Sequence, residues 1–204
     1  MRVALPKGRI AQEVLEIFKK IFNEDFEFEN RKLILKKAGF TFLNVRNWDV
    51  ATYVEKQAAD IGVVGLDVIT ELRSDVLELL DLGLGKCRIS VGGIKGDDSY
   101  KYKSEIRVAS KLKNIAKDYF SKQGIPAEII KLNGSIELAP LVGLSDVIVD
   151  IVETGNTLKE NGLEEKEIIM HSSARLIANK NSFLVNKKEI LNLSNKIRSV
   201  IYGS

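Results

Sequence analysis

The sequence predicts an α/β fold of two segments, and three observations support this. Apolar, β-branched runs alternate with runs of helical spacing along the chain, as expected for largely parallel sheets covered by helices. The 15 glycines and only three prolines fit such a fold. The polar, glycine-rich run Gly92–Ser99 is the clearest break in composition. We therefore place a crossing between two α/β lobes at this run.

The first segment alternates strands and helices from its first residues. A strand at Arg2–Leu5 is closed by Pro6, and the turn Lys7–Arg9 leads into a helix. That helix has one buried face, formed by Ile10, Val14, Ile17, Phe18 and Ile21. Further strands are predicted at 33–35, 41–45 and 60–64, and further helices at 50–59, with Asp49 as N-cap, and at 66–72.

The second segment repeats the alternation of strands and helices, and a helical tail follows it. Strands are predicted at 106–109, 129–132, 146–152, 167–170 and 175–178. Helices are predicted around 115–120, after a Ser135 cap, at 158–161 and along the tail from 182 to 201. Most of these helices follow a strand directly, so their amino-terminal turns face the carboxyl ends of strands.

Composition excludes several classes of protein. The 204 residues are 45% hydrophobic, enough for one large or two small cores. The net charge of +3 is mild and spread along the chain, which gives little support to nucleic-acid binding. One Cys87 and one His171 exclude an internal disulfide and a structural zinc site. Neither a signal peptide nor a run of about 20 apolar residues is evident, so we expect a cytoplasmic protein.

The segment Asp150–Thr157 is the most informative one in the chain. A buried strand ends in Glu153, Thr154, Gly155, Asn156 and Thr157, and a helix follows. Free N–H groups at such a junction, with two threonine hydroxyls, can bind one phosphate. The Gly-Lys-Ser/Thr triplet of a triphosphate-binding loop is absent from the sequence.

Two carboxylates beside this loop narrow the class of ligand that it can bind. Asp150 and Glu153 could accept hydrogen bonds from sugar hydroxyls or hold a cation. The pattern favours a sugar phosphate. The alternative from the loop alone is ordinary turn chemistry, with Asp150 bonded to backbone at the end of its strand.

Five blocks stand out when they are taken together and in order: residues 4–9, 49–54, 59–68, 79–88 and 131–142, the last running into 150–157. Together they resemble the short form of ATP phosphoribosyltransferase, an enzyme family of histidine biosynthesis, and the resemblance covers nearly the whole chain. It implies that N1 of the ATP adenine displaces pyrophosphate from C1 of phosphoribosyl pyrophosphate, with magnesium accompanying the pyrophosphate. No metal site made by the protein alone is expected.

The resemblance also implies roles for single residues. Thr154–Thr157 would bind the 5-phosphate, and Glu137 and Asp150 would contact the ribose hydroxyls. Lys7 and Arg9 would suit the phosphates of ATP or pyrophosphate. Arg31 and Arg46 resemble arginines that reach an active site across a dimer interface to stabilise ATP and the departing pyrophosphate, so Lys7, Arg31 and Arg46 are the catalytic candidates.

Each role has a structural alternative. Lys7, Arg9 and Arg31 could be solvated surface residues, and Glu137 could charge the first turn of its helix. Asp49 and Tyr53 fit a cap and an interface aromatic better than catalysis. Cys87 and His171 fit structural roles. Ala51, where the family often has proline, and the bulky pair Asn47–Trp48 depart from the family pattern.

The implied fold is a two-lobed, periplasmic-binding-protein type II-like arrangement with its active site in the cleft between the lobes. Residues 1–91 with 179–204 would form one lobe, and 92–178 the other. We expect no regulatory domain of the long form, so the resemblance implies a separate regulatory subunit similar to histidyl-tRNA synthetase. The arginines that reach across an interface imply a homodimer as the minimal unit. Two rival functions remain open: a cytosolic anion-binding module of this fold, and a phosphoribosyltransferase acting on another base.

Overall fold

A computed structural model describes residues 1–29 and 31–203, which form two compact units. One unit contains Met1–Gly85 with the segment from Ser173 onward, and the other contains Lys86–Ser172. The strands are β1 (Arg2–Pro6), β2 (Ile34–Lys37), β3 (Phe40–Val45), β4 (Ile61–Gly65), β5 (Leu77–Asp81), β6 (Cys87–Ile94), β7 (Ile106–Ser110), β8 (Ala127–Lys131), β9 (Val147–Val152), β10 (Leu163–Ser172) and β11 (Ala174–Ala178). The helices are α1 (Arg9–Phe22), α2 (Asn47–Glu55), α3 (Leu66–Leu72), α4 (Lys113–Lys122), α5 (Leu138–Leu141), α6 (Asn156–Glu160), α7 (Lys180–Val185) and α8 (Lys187–Tyr202).

The first unit is built on a six-stranded sheet in the order β2-β3-β1-β4-β11-β5. The central strands β3, β1 and β4 are parallel, and β2 and β11 are antiparallel to their neighbours. Five phenylalanines join α1 to this sheet, with contacting ring centroids 5.0–6.3 Å apart: Phe18, Phe22, Phe26, Phe40 and Phe42. The predicted buried face of the first helix thus packs on the sheet.

The second unit is built on a five-stranded sheet in the order β10-β6-β9-β7-β8. Strands β9, β7 and β8 are parallel, so their carboxyl ends share one edge. The buried Ser110 hydroxyl donates to the Val149 carbonyl at 2.6 Å and accepts from the Leu112 N–H at 2.8 Å. These two hydrogen bonds fix the end of β7 beside β9, which is followed by the loop 153–155.

Both sheets are mixed, although the sequence pattern predicted largely parallel ones. Strands β5 and β6 were not predicted, and β10 was predicted at less than half its length. Strands β2 and β11 were predicted, but alternation along the chain does not reveal that they run antiparallel to their neighbours. The predicted α/β class itself is confirmed.

The lobe boundaries predicted at 91/92 and 178/179 differ from the observed units. Gly92 is not a linker: it lies inside β6, opposite Ile148 of β9 and Glu165 of β10. A Cβ atom at Gly92 would lie 3.0 Å from Ile148 Cγ1 and 3.3 Å from Leu158 Cδ2, so glycine here permits close packing. Strand β11 pairs with β4 and β5, and its residues therefore belong to the first unit.

Helix starts also differ from the predictions. Asp49 is in the first turn of α2, with Arg46 at the N-cap. Ser135 does not cap a helix: it has a φ of 48°, and α5 begins only at Leu138 after Glu137. The predicted tail helix is two helices, and Asn179 caps the first by accepting from the Ser182 N–H at 2.9 Å.

Candidate active site

A pocket of about 330 Å³ lies at the carboxyl end of β9 in the second unit. It is lined by Glu137, Asp150, Ile151, Val152, Glu153, Thr154, Gly155, Thr157 and Leu158. Every substrate-binding residue predicted in this unit except Asn156 therefore lines one concave surface. Its position agrees with the general placement of ligands beyond the carboxyl ends of parallel strands.

The loop between β9 and α6 presents backbone donors. Gly155 has a φ of 83°, a conformation that favours glycine, and it is the N-cap of α6. The Thr154 hydroxyl accepts from the Asn156 N–H at 3.3 Å, which closes the turn. Within the described part of the chain, no protein group accepts from the N–H of Thr154, Gly155 or Thr157. These groups are available to an anion.

The helix after the loop starts two residues earlier than predicted. It spans Asn156–Glu160 rather than 158–161, and at five residues it has little more than one turn. Its dipole is correspondingly small, so the anion-binding capacity lies in the loop N–H groups and the threonine hydroxyls.

Two carboxylates face the pocket from different elements. Asp150 is in β9, and Glu137 is the N-cap residue of α5, where it makes no side-chain capping bond. Burial raises the pKa of Asp150 above its ordinary value, and the charge of Glu137 adds to the rise. The Ile151 N–H, which donates to Asp150 Oδ1 at 2.8 Å, and the charge of Lys111 act in the opposite direction. Hydroxyl donors from a ligand would relieve the unfavourable burial of this carboxylate.

Two basic residues near the pocket were missed by sequence reasoning. Lys111 follows β7 directly, and the pairing of Ser110 with Val149 brings it close to Asp150. Arg88 is in β6, and its Nη1 donates to the Glu153 carbonyl at 3.0 Å. Lys111 stands outside the recognised blocks, whereas Arg88 is the last residue of the block 79–88 but was given no role. The sequence signal for Lys111 was its place directly after a strand.

The other predicted basic residues gather at one edge of the first unit. Pro6 is paired with Val45, and the Lys7 N–H donates to the Val45 carbonyl at 2.8 Å. The carboxyl ends of β1 and β3 therefore bring the segment Lys7–Arg9 next to Arg46. Arg31 precedes β2, which starts at this same edge because it runs antiparallel to β3.

All four of these cationic side chains are exposed. Arg9 Nε lies 3.8 Å from Glu13 Oε1 within α1. For Lys7, Arg31 and Arg46, no ion-pair partner exists among residues 1–29 and 31–203. The edge is therefore an exposed cluster of positive charge, which we call the cation edge.

The described residues contain neither a metal-binding cluster nor a membrane-spanning helix. No group of three or more His, Cys, Asp or Glu side chains is arranged to hold a metal ion. None of the described helices combines the length and the apolar character needed to cross a membrane.

Comparison with known proteins identifies the family. Residues 46–199 match the family description HisG, ATP phosphoribosyltransferase. The chain is 61% identical to an ATP phosphoribosyltransferase of Sulfurovum over 98% of both chains, and 61% identical to that of Campylobacter fetus over 98% of this chain and 99% of the relative. The chain belongs to the ATP phosphoribosyltransferase family. The expected resemblance is confirmed.

Solved structures agree in fold. One chain of the ATP phosphoribosyl transferase (HisG:HisZ) complex from Thermotoga maritima matches with a TM-score of 0.86 and 33% identity over the full length of both chains. This match is consistent with the short form of the ATP phosphoribosyltransferase family. The periplasmic aliphatic sulphonate binding protein SsuA of Escherichia coli matches with a TM-score of 0.63 at 10% identity, which supports the predicted binding-protein-like fold alone.

Proposed function

We propose that this chain catalyses the ATP phosphoribosyltransferase reaction of histidine biosynthesis. N1 of the ATP adenine attacks C1 of phosphoribosyl pyrophosphate, the C1–O bond to pyrophosphate breaks, and phosphoribosyl-ATP and pyrophosphate result. The observation that carries the proposal is the pocket at the end of β9, which combines unpaired loop N–H groups with the carboxylates of Glu137, Asp150 and Glu153. These groups match the phosphate and the hydroxyls of a phosphorylated ribose.

The loop is assigned to the 5-phosphate. The N–H groups of Thr154, Gly155 and Thr157 would donate to its oxygens, and the Thr157 hydroxyl would add a charge-assisted bond. Asn156 is assigned a supporting role, because its N–H closes the turn onto the Thr154 hydroxyl rather than facing the ligand.

The carboxylates are assigned to the ribose. Glu137 and Asp150 would accept from the 2- and 3-hydroxyls, and Glu153 lines the same pocket. As the bond to pyrophosphate breaks, positive charge develops on the sugar ring, and nearby carboxylates stabilise it. Holding both reactants in place supplies most of the remaining catalysis, since no covalent nucleophile is required.

The cation edge is assigned to the phosphates of ATP and the leaving pyrophosphate. Lys7 and Arg9 would bind within their own chain. Arg31 and Arg46 would act in the active site of a second copy of the chain, so the proposal includes a homodimer. Their exposure and their lack of ion pairs in the described structure support this role, because such side chains can bind an incoming anion without first breaking a contact.

Magnesium enters as part of the substrate. Mg²⁺ binds through one or two carboxylates together with substrate phosphates. The pocket offers Asp150, Glu137 and Glu153, and these fit an ion that arrives on phosphoribosyl pyrophosphate better than an ion held by the protein alone.

A regulatory partner and a compartment complete the proposal. The full-length match to a chain from a HisG:HisZ complex supports a hetero-oligomer with a regulatory subunit similar to histidyl-tRNA synthetase. The cytoplasm is the proposed location, because ATP and phosphoribosyl pyrophosphate are metabolites of that compartment.

The deciding experiment incubates the purified chain with ATP, phosphoribosyl pyrophosphate and Mg²⁺, with and without the regulatory subunit, and analyses the nucleotide by mass spectrometry. We expect slow formation of phosphoribosyl-ATP by the chain alone and faster formation with the partner. Replacing ATP by other nucleobases tests the rival base specificity. If both substrates bind but no product forms, even with the regulatory subunit, the alternative hypothesis of an anion-binding module would be supported instead.

A further inference from the structure

We call residues 153–157 the phosphate loop. Arg88 lies beside the start of this loop. It is the second residue of β6 and pairs with Val152, the last residue of β9 before the loop. Its guanidinium reaches past this pair: Nη1 donates to the Glu153 carbonyl at 3.0 Å, and Nη2 lies 3.8 Å from the position that a Cβ atom of Gly155 would occupy. The side chain therefore hydrogen-bonds the start of the loop and ends close to Gly155, two residues further on.

Glu165 of β10 fixes the orientation of this guanidinium. Arg88 Nε lies 3.0 Å and 2.8 Å from the two carboxylate oxygens of Glu165, and Nη2 lies 2.7 Å from one of them. The two side chains are 27% and 22% exposed, so the pair is largely shielded from water. A fork of donors held this way has little freedom left, and its remaining Nη1 donor is directed at the loop.

The bond to the Glu153 carbonyl determines which way the first loop peptide faces. In a trans peptide the carbonyl and the following N–H point in opposite directions. With the Glu153 oxygen engaged by Arg88, the Thr154 N–H points away from Arg88. If this peptide turned over, a carbonyl oxygen would replace a donor, and it would repel a phosphate.

The far end of the loop is seated independently. Leu158 of α6 packs against β6 at Gly92, where any Cβ atom would lie 3.3 Å from Leu158 Cδ2. The loop is thus held at its start by Arg88 and at its end by Leu158, and both contacts come from β6.

We propose that Arg88, oriented by Glu165, is a positioning residue that holds the phosphate loop in its anion-binding conformation before the substrate arrives. This inference rests on the proposed function of the loop. The ion pair acts through the backbone, since it binds the carbonyl side of the peptide whose N–H serves the ligand. Binding of the 5-phosphate then requires no reordering of the loop, and that ordering cost would otherwise weaken the affinity.

The test compares Arg88→Gln, Arg88→Lys and Glu165→Gln with the wild-type chain in complex with its regulatory subunit. Arg88→Gln should raise the KM for phosphoribosyl pyrophosphate about ten-fold or more and leave the KM for ATP within about two-fold, because one charge-assisted bond to the loop is lost. Arg88→Lys should restore little, since an ammonium cannot reproduce the fork. Glu165→Gln should also raise the KM for phosphoribosyl pyrophosphate more than the KM for ATP, but by a smaller factor.

Arg175→Gln is the matched control. Arg175 is also a strand arginine, 23% exposed, and it pairs with Asp81 of the neighbouring strand at 3.2 Å, but in the first unit. It should leave the ratio of the two KM values unchanged. Calorimetric titration with phosphoribosyl pyrophosphate gives a second readout that needs no turnover.

The results separate the two proposals. Failure of the wild type to form product would overturn the proposed function, whatever Arg88 does. An active wild type whose Arg88→Gln and Glu165→Gln variants lose thermal stability but keep the wild-type affinity for phosphoribosyl pyrophosphate would show that the ion pair is only structural. Equal weakening of both substrates would also contradict positioning of this loop.

Discussion

The phosphate loop and the cation edge both present positive charge or donors to an anion, yet they are constructed in opposite ways. In the loop the donors are backbone N–H groups, and a shielded ion pair holds the peptide that carries the first of them. At the cation edge the donors are long, exposed side chains such as those of Lys7 and Arg46. The loop backbone is fixed before the ligand binds, whereas the side chains of the cation edge can change conformation when a ligand arrives.

This difference matches what each region is proposed to bind. The 5-phosphate keeps its charge and its position throughout the reaction, so a rigid loop can bind it at every stage. Because the loop is already ordered, binding does not incur the free-energy cost of ordering it. Pyrophosphate gains charge as it departs, and mobile cations can strengthen their contacts as that charge grows. Each prediction below alters one of the two regions and asks whether its effect is confined to that region's ligand.

The largest effect is expected at the cation edge. Arg46→Ala should lower kcat by about 10²–10³-fold, the range found when one donor that stabilises transition-state charge is removed. The KM values should change far less, because the charge on pyrophosphate develops mainly after binding. Arg46→Lys should recover little activity. Steady-state kinetics with both substrates varied provides the measurement.

The same variant tests whether Arg46 acts in its own chain. Mixing Arg46→Ala chains with Asp150→Ala chains, each nearly inactive, should restore activity on subunit exchange if Arg46 serves the neighbouring protomer. Some mixed dimers would then contain one intact site. If exchange is verified by native mass spectrometry and no activity returns, the cross-protomer assignment is wrong.

Sequence reasoning predicted the residues of the loop region that share a local pattern. Asp150, Thr154 and Thr157 stand within eight positions, so their strand, turn and pocket could be predicted together. Glu137 came from the family resemblance and lines the same pocket. These assignments depended on short-range order or on a recognised block.

The roles of the supporting residues could not be predicted in this way, although Arg88 ends the recognised block 79–88. Arg88 precedes the Glu153 carbonyl by 65 positions and Glu165 by 77, and only the order β10-β6-β9 brings them together. The predicted lobe boundary at Gly92 was wrong for a related reason. A strand glycine that makes room for Leu158 has the same composition signal as a linker glycine, and packing alone distinguishes the two.

The second prediction concerns the Thr157 hydroxyl. Thr157→Ala should weaken phosphoribosyl pyrophosphate by about 10–100-fold, because a hydrogen bond to a charged group contributes roughly 1.5–3 kcal/mol. Thr157→Ser keeps the hydroxyl and should remain close to the wild type. The affinity for ATP should not change. A similar loss for both substrates would mean that Thr157 maintains the structure instead of binding the phosphate.

The third prediction separates loop strain from loop function. Gly155 and Gly124 both have positive φ, 83° and 69°, and neither would bring a Cβ atom closer than 3.8 Å to a neighbour. Alanine at either position should therefore cost about 1–2 kcal/mol of stability for the left-handed conformation. Only Gly155→Ala should also weaken phosphoribosyl pyrophosphate, by roughly 5–30-fold if relief of the strain moves the loop. Urea unfolding and substrate titration of both variants provide the comparison.

The smallest effect is a gain in stability at the carboxylates. Burial, followed by the charge of Glu137, raises the pKa of Asp150 above the ordinary value of 3.8. The folded protein therefore holds this proton more tightly than the unfolded chain does. Stability falls as the pH rises from the unfolded pKa through the folded one, and above both values the full penalty of burying the charge is present.

Asp150→Asn removes that charge and keeps a side-chain oxygen that can accept from the Ile151 N–H. The variant should be more stable than the wild type at pH 7, and its advantage should shrink as the pH is lowered toward 4, while turnover is lost. Each kcal/mol would appear as about 2–4 °C in the thermal midpoint for a protein of this size. A variant that is less stable at pH 7 would show that Asp150 is satisfied by its own protein. The carboxylate would then need no ligand to offset its burial, and the pocket, like the loop beside it, would be fully arranged before the substrate binds.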